Sequence, residues 1–268
     1  MCFAATTRIL GVIPTPSISH QLVFRPLWKH LSLRGHQVVV LTTDPVKDPA
    51  LQNLKEMDLH FAYDVINRVH NLSNIFNEFT GKPLQMMHAI ITAFNDVCNV
   101  ELQNVDVSNI IEDQDEYFDL VIIEILRPEM LAFGHRFNCP VIGVTSMDVP
   151  SVVYESLGNP INSITNPDFR LALAGKLTFK ERIVSVIFDL VATTYVYFHV
   201  KALSDNTIQK HFGNYPTINE LISKIDMLFI NVHPAFHGVR PLCPNIITIG
   251  SGLHLQHPKP LPQVIINQ

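Results

Sequence analysis

Two short apolar runs decide the fold: Arg8-Ile9-Leu10-Gly11-Val12-Ile13 and Gln37-Val38-Val39-Val40-Leu41-Thr42-Thr43. Each is too short for a buried helix and is rich in β-branched residues, so each predicts a strand. Between them, Pro14 to Ser19 reads as a loop. From Ile18 to Arg34 apolar residues recur at 18/22, 23/27/31 and 24/28, which is helical spacing. Ser17 or Ser19 is placed to cap the helix start, and Gly35 is placed to end it. Strand, helix and strand in this order form a βαβ unit. Strands without polar alternation imply a parallel sheet covered on both faces.

The same grammar recurs further along. Residues 118–124, 140–145, 226–231 and 245–250 read as strands, and residues 128–137 as a helix. Thr178-x-x-Glu181 and Thr217-x-x-Glu220 are capping boxes that open helices. The expectation is one α/β domain, Rossmann-like and doubly wound around a mostly parallel sheet. Helical insertions are expected near residues 50–115 and 160–222.

Composition narrows the function. The chain has 268 residues, 19 Lys+Arg against 24 Asp+Glu, and 47% hydrophobic residues. That excludes intrinsic disorder. A net charge of −5 argues against a nucleic-acid partner, which would require a cationic field. The four cysteines form no Cys-x-x-Cys pair, and they permit disulfides without requiring them. The apolar run within residues 179–201 carries Asp189 at its centre. The central charge favours a core or pocket-lining helix over a membrane span. Membrane-surface contact through Val186, Phe188, Tyr195 and Tyr197 is the alternative.

Several catalytic signatures are missing. No Gly-x-Gly-x-x-Gly follows the first strand, and there is neither a Walker A loop nor a Gly-x-Ser-x-Gly elbow. His233-x-x-x-His237 spans Pro234 and lacks a protease glutamate, while His254-x-x-His257 sits in a proline-flanked tail, so no metal site is expected. His20 is the leading candidate. It lies in the first helical turn after strand one, facing the crevice where open α/β sheets bind ligands. The helix dipole there disfavours the imidazolium and leaves a neutral ring able to accept a proton. The competing reading is a capping or exposed histidine. Glu124 ends another strand and points to the same sheet edge. A buried carboxylate needs a partner, and beside a histidine it could orient the ring and stabilise its charged form.

The run Arg8 to His20, the segment Arg34 to Thr42, Phe118 to Glu124, Gly134 to Ile142, and Gly238 to Asn245 through Pro258-Lys-Pro-Leu-Pro262 together resemble UDP-glycosyltransferases of the UDP-glucuronosyltransferase type, the arthropod members above all. The resemblance implies a GT-B fold, two Rossmann-like domains facing across a cleft. This chain matches the N-terminal, acceptor-binding half: residues 1–257 as the domain and 258–268 as the start of an interdomain linker. The family's C-terminal domain, donor signature and membrane helix are not matched.

The family's catalytic histidine falls on His20, and its partner aspartate on Glu124, one methylene longer. The implied chemistry moves glucose or glucuronate from a UDP-sugar co-substrate to a hydroxyl of a small lipophilic acceptor, with inversion and without metal or cofactor. A detoxifying role at the endoplasmic reticulum membrane is implied as well, and a homo-oligomer is allowed. Met86, Met87, Phe94, Met147 and Phe188 are candidates to line the acceptor pocket, with plain core as the competing reading. In a secretory protein Asn71-Leu72-Ser73 is a glycosylation sequon.

The residues ahead of Arg8 are too few for a signal peptide, and the proline-rich end has a linker's character. A fragment inactive alone is therefore expected. The alternative is a non-catalytic binder of lipophilic ligands, or a dominant-negative partner of full-length enzymes.

Overall fold

The computed structural model describes residues 6–173 and 175–250. Cys2, the His254-x-x-His257 pair and residues 258–268, expected as the start of a linker, lie outside the described residues. Seven strands form one sheet: β1 (Arg8–Ile13), β2 (Gln37–Thr42), β3 (Leu54–Asp58), β4 (Leu120–Glu124), β5 (Val141–Thr145), β6 (Met227–Ile230) and β7 (Ile246–Thr248). Their order is β3-β2-β1-β4-β5-β6-β7, and every neighbouring pair is parallel. This is the doubly wound arrangement expected from the sequence. The chain runs outward from β1 to β3, then returns to the other side of β1 with β4. The crevice between β1 and β4 is therefore the point where the winding reverses.

Alternation along the central strands explains why the sheet is covered on both sides. Leu10, Val12, Val39, Leu41, Val121 and Ile123 face one core, which the helices of the insertions and of the 128–137 segment close. Ile9, Ile13, Val38, Val40 and Ile122 face the other, against helix α1 (Ile18–Leu33) with its buried Val23, Phe24 and Trp28. Two glycines set the spacing. A Cβ at Gly11 would meet the Trp28 ring at 2.8 Å, so its absence lets α1 lie directly on β1. A Cβ at Gly134 would meet Val141 Cγ2 at 2.2 Å, so that glycine seats the Ala132–Phe137 helix on β5.

The sequence reading needs correction in four places. The 50–115 segment is not wholly helical, because it supplies β3. β4 begins at Leu120 and not at Phe118; ahead of it Asp119 is tied to Arg8, its N–H donating to Arg8 O at 2.8 Å and its carboxylate accepting the Arg8 N–H at 2.7 Å. The 128–137 helix opens as a 3-10 turn, Pro128–Leu131, before becoming α-helical.

The fourth correction is the largest. The Phe179–Tyr195 helix continues through a π-helical stretch (Val196–Val200) into Lys201–Phe212, and it is not a core helix. Within these 34 residues an 18-residue window has a mean hydropathy of 1.6, yet only 17% of it is buried. Phe188 and Ala192 pack inward on Met87. Ser185 donates to Ser163 O, and Ser163 donates to Asp189. One Asp189 oxygen therefore has a partner, while the other is buried without one. The exposed face carries Phe179, Ile183, Ile187, Leu190 and Phe198 along with Val186 and Tyr197. Both capping boxes are formed: Glu181 and Glu220 accept the N–H groups of Thr178 and Thr217 at 2.7 and 2.8 Å.

Candidate active site

β1 ends at Ile13, and four residues later Ser17 takes an extended conformation at the start of α1. Its hydroxyl pairs with Ser19 Oγ at 2.9 Å and does not cap the helix, contrary to the capping role expected of this pair. The helix start is fastened by a residue that the sequence did not single out. Gln21, 2% exposed, donates through Nε2 to Ile13 O at 2.8 Å, Thr15 O at 2.9 Å and Thr43 Oγ1 at 3.0 Å. It accepts from Thr42 Oγ1 at 2.7 Å. One amide thus ties the loop after β1 to the end of β2. The only early signal was a polar residue on the inward face of an amphipathic helix.

With the loop fixed, His20 in the first turn of α1 points across the β1–β4 crevice. Glu124, the last residue of β4, is fully buried and lies opposite. Its Oε1 is 2.5 Å from His20 Nδ1, and the histidine side chain is 12% exposed. The two residues proposed as a pair from sequence are brought into direct contact. Burial alone would push the Glu124 carboxyl up. The hydrogen bond and charge of His20, the Arg127 guanidinium and the Thr15 hydroxyl outweigh it and hold the group below the ordinary glutamate value. An ionised carboxylate can only accept, so His20 Nδ1 carries the proton in this contact, and in the neutral form of the ring Nε2 is the nitrogen with the lone pair. The pair thus presents an oriented imidazole with a free basic nitrogen at a partly open site.

The proposed pocket-lining residues do not gather in one place. Phe94 packs with Ala62, Ile66 and Val97, with the Arg127 guanidinium 3.6 Å above its ring. Met87 and Phe188 share a separate cluster, where Arg170 also contacts Met87 Sδ at 2.8 Å. Met86 is partly buried, and Met147, in the loop after β5, is 37% exposed. A cavity beyond β5 is lined instead by Asp148, Tyr154, Asp168 and Arg240; Asp148 accepts from Tyr154 and pairs with Arg240, while Asp168 pairs with Arg170. Asn71 is exposed at the start of the Leu72–Glu78 helix, where its side chain accepts from Asn74 N–H at 3.3 Å. Among the described residues no group of three or more His, Cys, Asp or Glu is arranged to hold a metal. Cys98, Cys139 and Cys243 are free thiols.

Comparison with known proteins adds the family. The family model described as UDP-glucoronosyl and UDP-glucosyl transferase matches residues 8–267. A "UDP-glucosyltransferase 2" of Dactylopius coccus is 31% identical over 262 residues, covering 95% of this chain and 49% of that protein. An "Ecdysteroid UDP-glucosyltransferase" of Lacanobia oleracea granulosis virus is 27% identical, covering 94% of this chain and 54% of that protein. Among solved structures, TcCGT1 in complex with UDP aligns over 86% of this chain and 45% of its own, at 12% identity and a TM-score of 0.42. The chain spans about half the length of the curated relatives it matches. Taken over nearly all of its residues, the chain belongs to the UDP-glucuronosyl and UDP-glucosyl transferase family.

Proposed function

We propose that this chain supplies the general base and the acceptor side of sugar transfer from a UDP-sugar to the hydroxyl of a small lipophilic molecule. The 2.5 Å contact between His20 and Glu124 carries this reading. In the proposed step His20 Nε2 takes the acceptor's hydroxyl proton. The acceptor oxygen bonds to the anomeric carbon as the bond to the UDP oxygen breaks, inverting that centre, and UDP leaves with the electron pair. Glu124 balances the charge that forms on the imidazole. Glucose or glucuronate is the proposed sugar, and phenols or sterol-like alcohols the proposed acceptors. A viral relative named for ecdysteroid supports the second.

The donor's diphosphate is proposed to be held outside residues 1–268, because the loop after β1 is Pro-Thr-Pro-Ser rather than a glycine-rich cradle. The test is to incubate the purified chain with UDP-glucose or UDP-glucuronate and a panel of phenols. Acceptor binding that shifts the His20 ring signals, with no conjugate by mass, is expected. Conjugate that disappears in His20→Ala would show that these residues form a complete enzyme. Binding that leaves His20 unmoved would remove the base assignment and favour the non-catalytic binder.

The bare helix face favours a second element of function. We propose that residues 179–198 rest on a membrane surface. Phe179, Ile183, Ile187, Leu190 and Phe198 face solvent, with Lys180 and Arg182 near one end and Lys201, 4.5 Å from the Tyr197 ring, at the other. That distribution suits an in-plane amphipathic helix. Flotation with phosphatidylcholine–phosphatidylserine vesicles should carry the chain upward, and Ile187→Ser with Leu190→Ser should release it. Equal flotation of the variant would end the proposal. In a secretory-pathway form, Asn71 is the proposed glycan site. Glycosidase should then remove mass from the wild type and none from Asn71→Gln.

A further inference from the structure

One wall of the cavity beyond β5 is a loop, residues 159–162 and 166–169; the facing wall is Asp148, Val149, Tyr154 and Arg240. Two sets of bonds hold the loop, and they lead to different bodies. At its far end Asp168, 5% exposed, accepts the Ser151 N–H at 3.2 Å and pairs twice with Arg170, each bond 2.7 Å. Ser151 opens the short helix after β5, so this end is fixed to the sheet. At the tip, Ser163 Oγ donates to Asp189 Oδ2 at 2.7 Å, Ser185 Oγ donates to Ser163 O at 2.6 Å, and Arg182 Nη1 donates to Ile164 O at 2.6 Å. Among the described residues, every hydrogen bond that leaves residues 161–166 goes to the Phe179–Tyr195 helix.

That helix is itself unevenly attached. Its continuation, Lys201–Phe212, is locked to the body: Ser204 Oγ donates to the buried Glu129 at 2.7 Å, Asn95 Nδ2 donates to Thr207 Oγ1 at 3.0 Å, and Ile208 and Phe212 enter the main core. The Phe179–Tyr195 part buries only Ser185, Phe188 and Ala192. Between the two lies the π-helical Val196–Val200, with no buried residue. A π-helical stretch is an irregularity in the helical ladder, and here it separates a fixed half from a lightly seated one. The closed loop also carries a local cost, because Asp189 Oδ1 is buried without a partner. Opening would return that oxygen to water and offset part of the bonding lost.

We infer that the 159–169 loop is a gate on this cavity, that Asp189 is its latch, and, resting on the membrane reading of residues 179–198, that a lipid surface taking the helix face draws the loop tip with it and opens the cavity. The tip follows the helix because its bonds lead nowhere else, while Asp168 stays on the sheet as the hinge end. The carboxylates of the cavity are each matched, Asp148 with Arg240 and Asp168 with Arg170. The guest such a gate admits from a lipid surface is therefore an uncharged small molecule.

The test reads access to the cavity and not sugar transfer. Val149, 2% exposed on the facing wall, is replaced in Val149→Cys, and alkylation by N-ethylmaleimide is followed residue by residue by peptide mass in the full chain. The native, fully buried Cys98 reports general loosening. In solution, Asp189→Ala should raise the labelling rate of the introduced thiol by about tenfold, the change expected on losing one hydrogen bond to a charged group, with Cys98 unchanged. Ser163→Ala cuts the same bond from the loop side and should do the same. An unchanged rate in both overturns the gate. An equal rise at Cys98 in Asp189→Ala marks a loosened fold, and Ser163→Ala then decides alone.

Phosphatidylcholine–phosphatidylserine vesicles should raise the rate by a similar factor when Asp189 is intact and add nothing in Asp189→Ala. A chain that floats with the vesicles while its labelling rate stays the same overturns the coupling to the surface and leaves the membrane reading standing. A chain that does not float removes the membrane reading and the coupling together, and the latch stands or falls on the solution measurement.

Discussion

The β1–β4 crevice and the Phe179–Phe212 helix solve opposite problems. In the crevice, polar groups are buried, and most are paired: Gln21 with four neighbours, Glu124 with His20. On the helix, apolar groups stand in water, with Leu190 69% and Phe198 66% exposed. A buried polar atom without a partner costs about 1–3 kcal/mol, which makes the crevice geometrically exacting. An exposed leucine carries no such demand, so a whole helix face can remain open without strain on the fold. The crevice is thus determined from within the chain, and the helix face by whatever covers it.

The sharpest way to break the crevice is to remove one charge without removing volume. On the proposed reading, Glu124→Gln in a transfer-competent form should lower turnover by about 10²–10⁴-fold while the fold persists, because the histidine loses its orienting anion. Glu124→Asp should keep most of the rate. A turnover unaffected by Glu124→Gln would detach the carboxylate from the chemistry.

The next effect is on stability. Gly134→Ala places a methyl 2.2 Å from Val141 Cγ2 and should cost about 1–3 kcal/mol in chemical denaturation. A neutral result there would mean that β5 and its helix can separate more easily than their packing indicates.

Smaller effects come from pH. Glu124 is held below its ordinary value in the folded chain, so its stabilisation is present above the unfolded value of about 4.5 and is lost as pH falls through the folded one. Acid unfolding should therefore be less steep in Glu124→Gln. Glu101, buried near the end of the Pro83–Leu102 helix, has the opposite sign. Raised in the fold, it stabilises below its unfolded value and loses that contribution as pH rises. Glu101→Gln should raise Tm near neutral pH and leave it unchanged at about pH 4, on a scale of roughly 2–4 °C per kcal/mol. Smallest of all, the paired serine substitutions at Ile187 and Leu190 should change stability by less than about 0.5 kcal/mol each, since both side chains are more than half exposed. A larger loss would show that the helix face is closed in solution.

Much of the crevice was legible in the sequence. The βαβ unit stood out because β1 and β2 are buried on both faces and so carry no polar alternation. Gly35, at φ 92, marked the helix end as expected. His20 and Glu124 could be assigned to one edge because each follows a strand's carboxyl end. Their contact could not be read, because it depends on β4 returning beside β1, and nothing local specifies strand order. β3 went unread because Leu54-Lys-Glu-Met-Asp58 is an edge strand with charges on its open side, and it lacks an apolar run. The exposed helix was misassigned because periodicity locates an apolar face but not the medium it meets. Arg127 and Glu101 gave no signal, since a charge in a turn or near a helix end ordinarily belongs to solvent.

The glutamine amide beside His20 has a kinetic consequence. By bonding Ile13, Thr15 and the end of β2 at once, Gln21 removes the freedom of the loop from which the histidine projects. The ordering entropy of that loop is then incurred when the chain folds and not when an acceptor arrives. The imidazole meets each ligand already in place, and acceptor association at this wall of the cleft should proceed in one phase, without a slower step for local rearrangement.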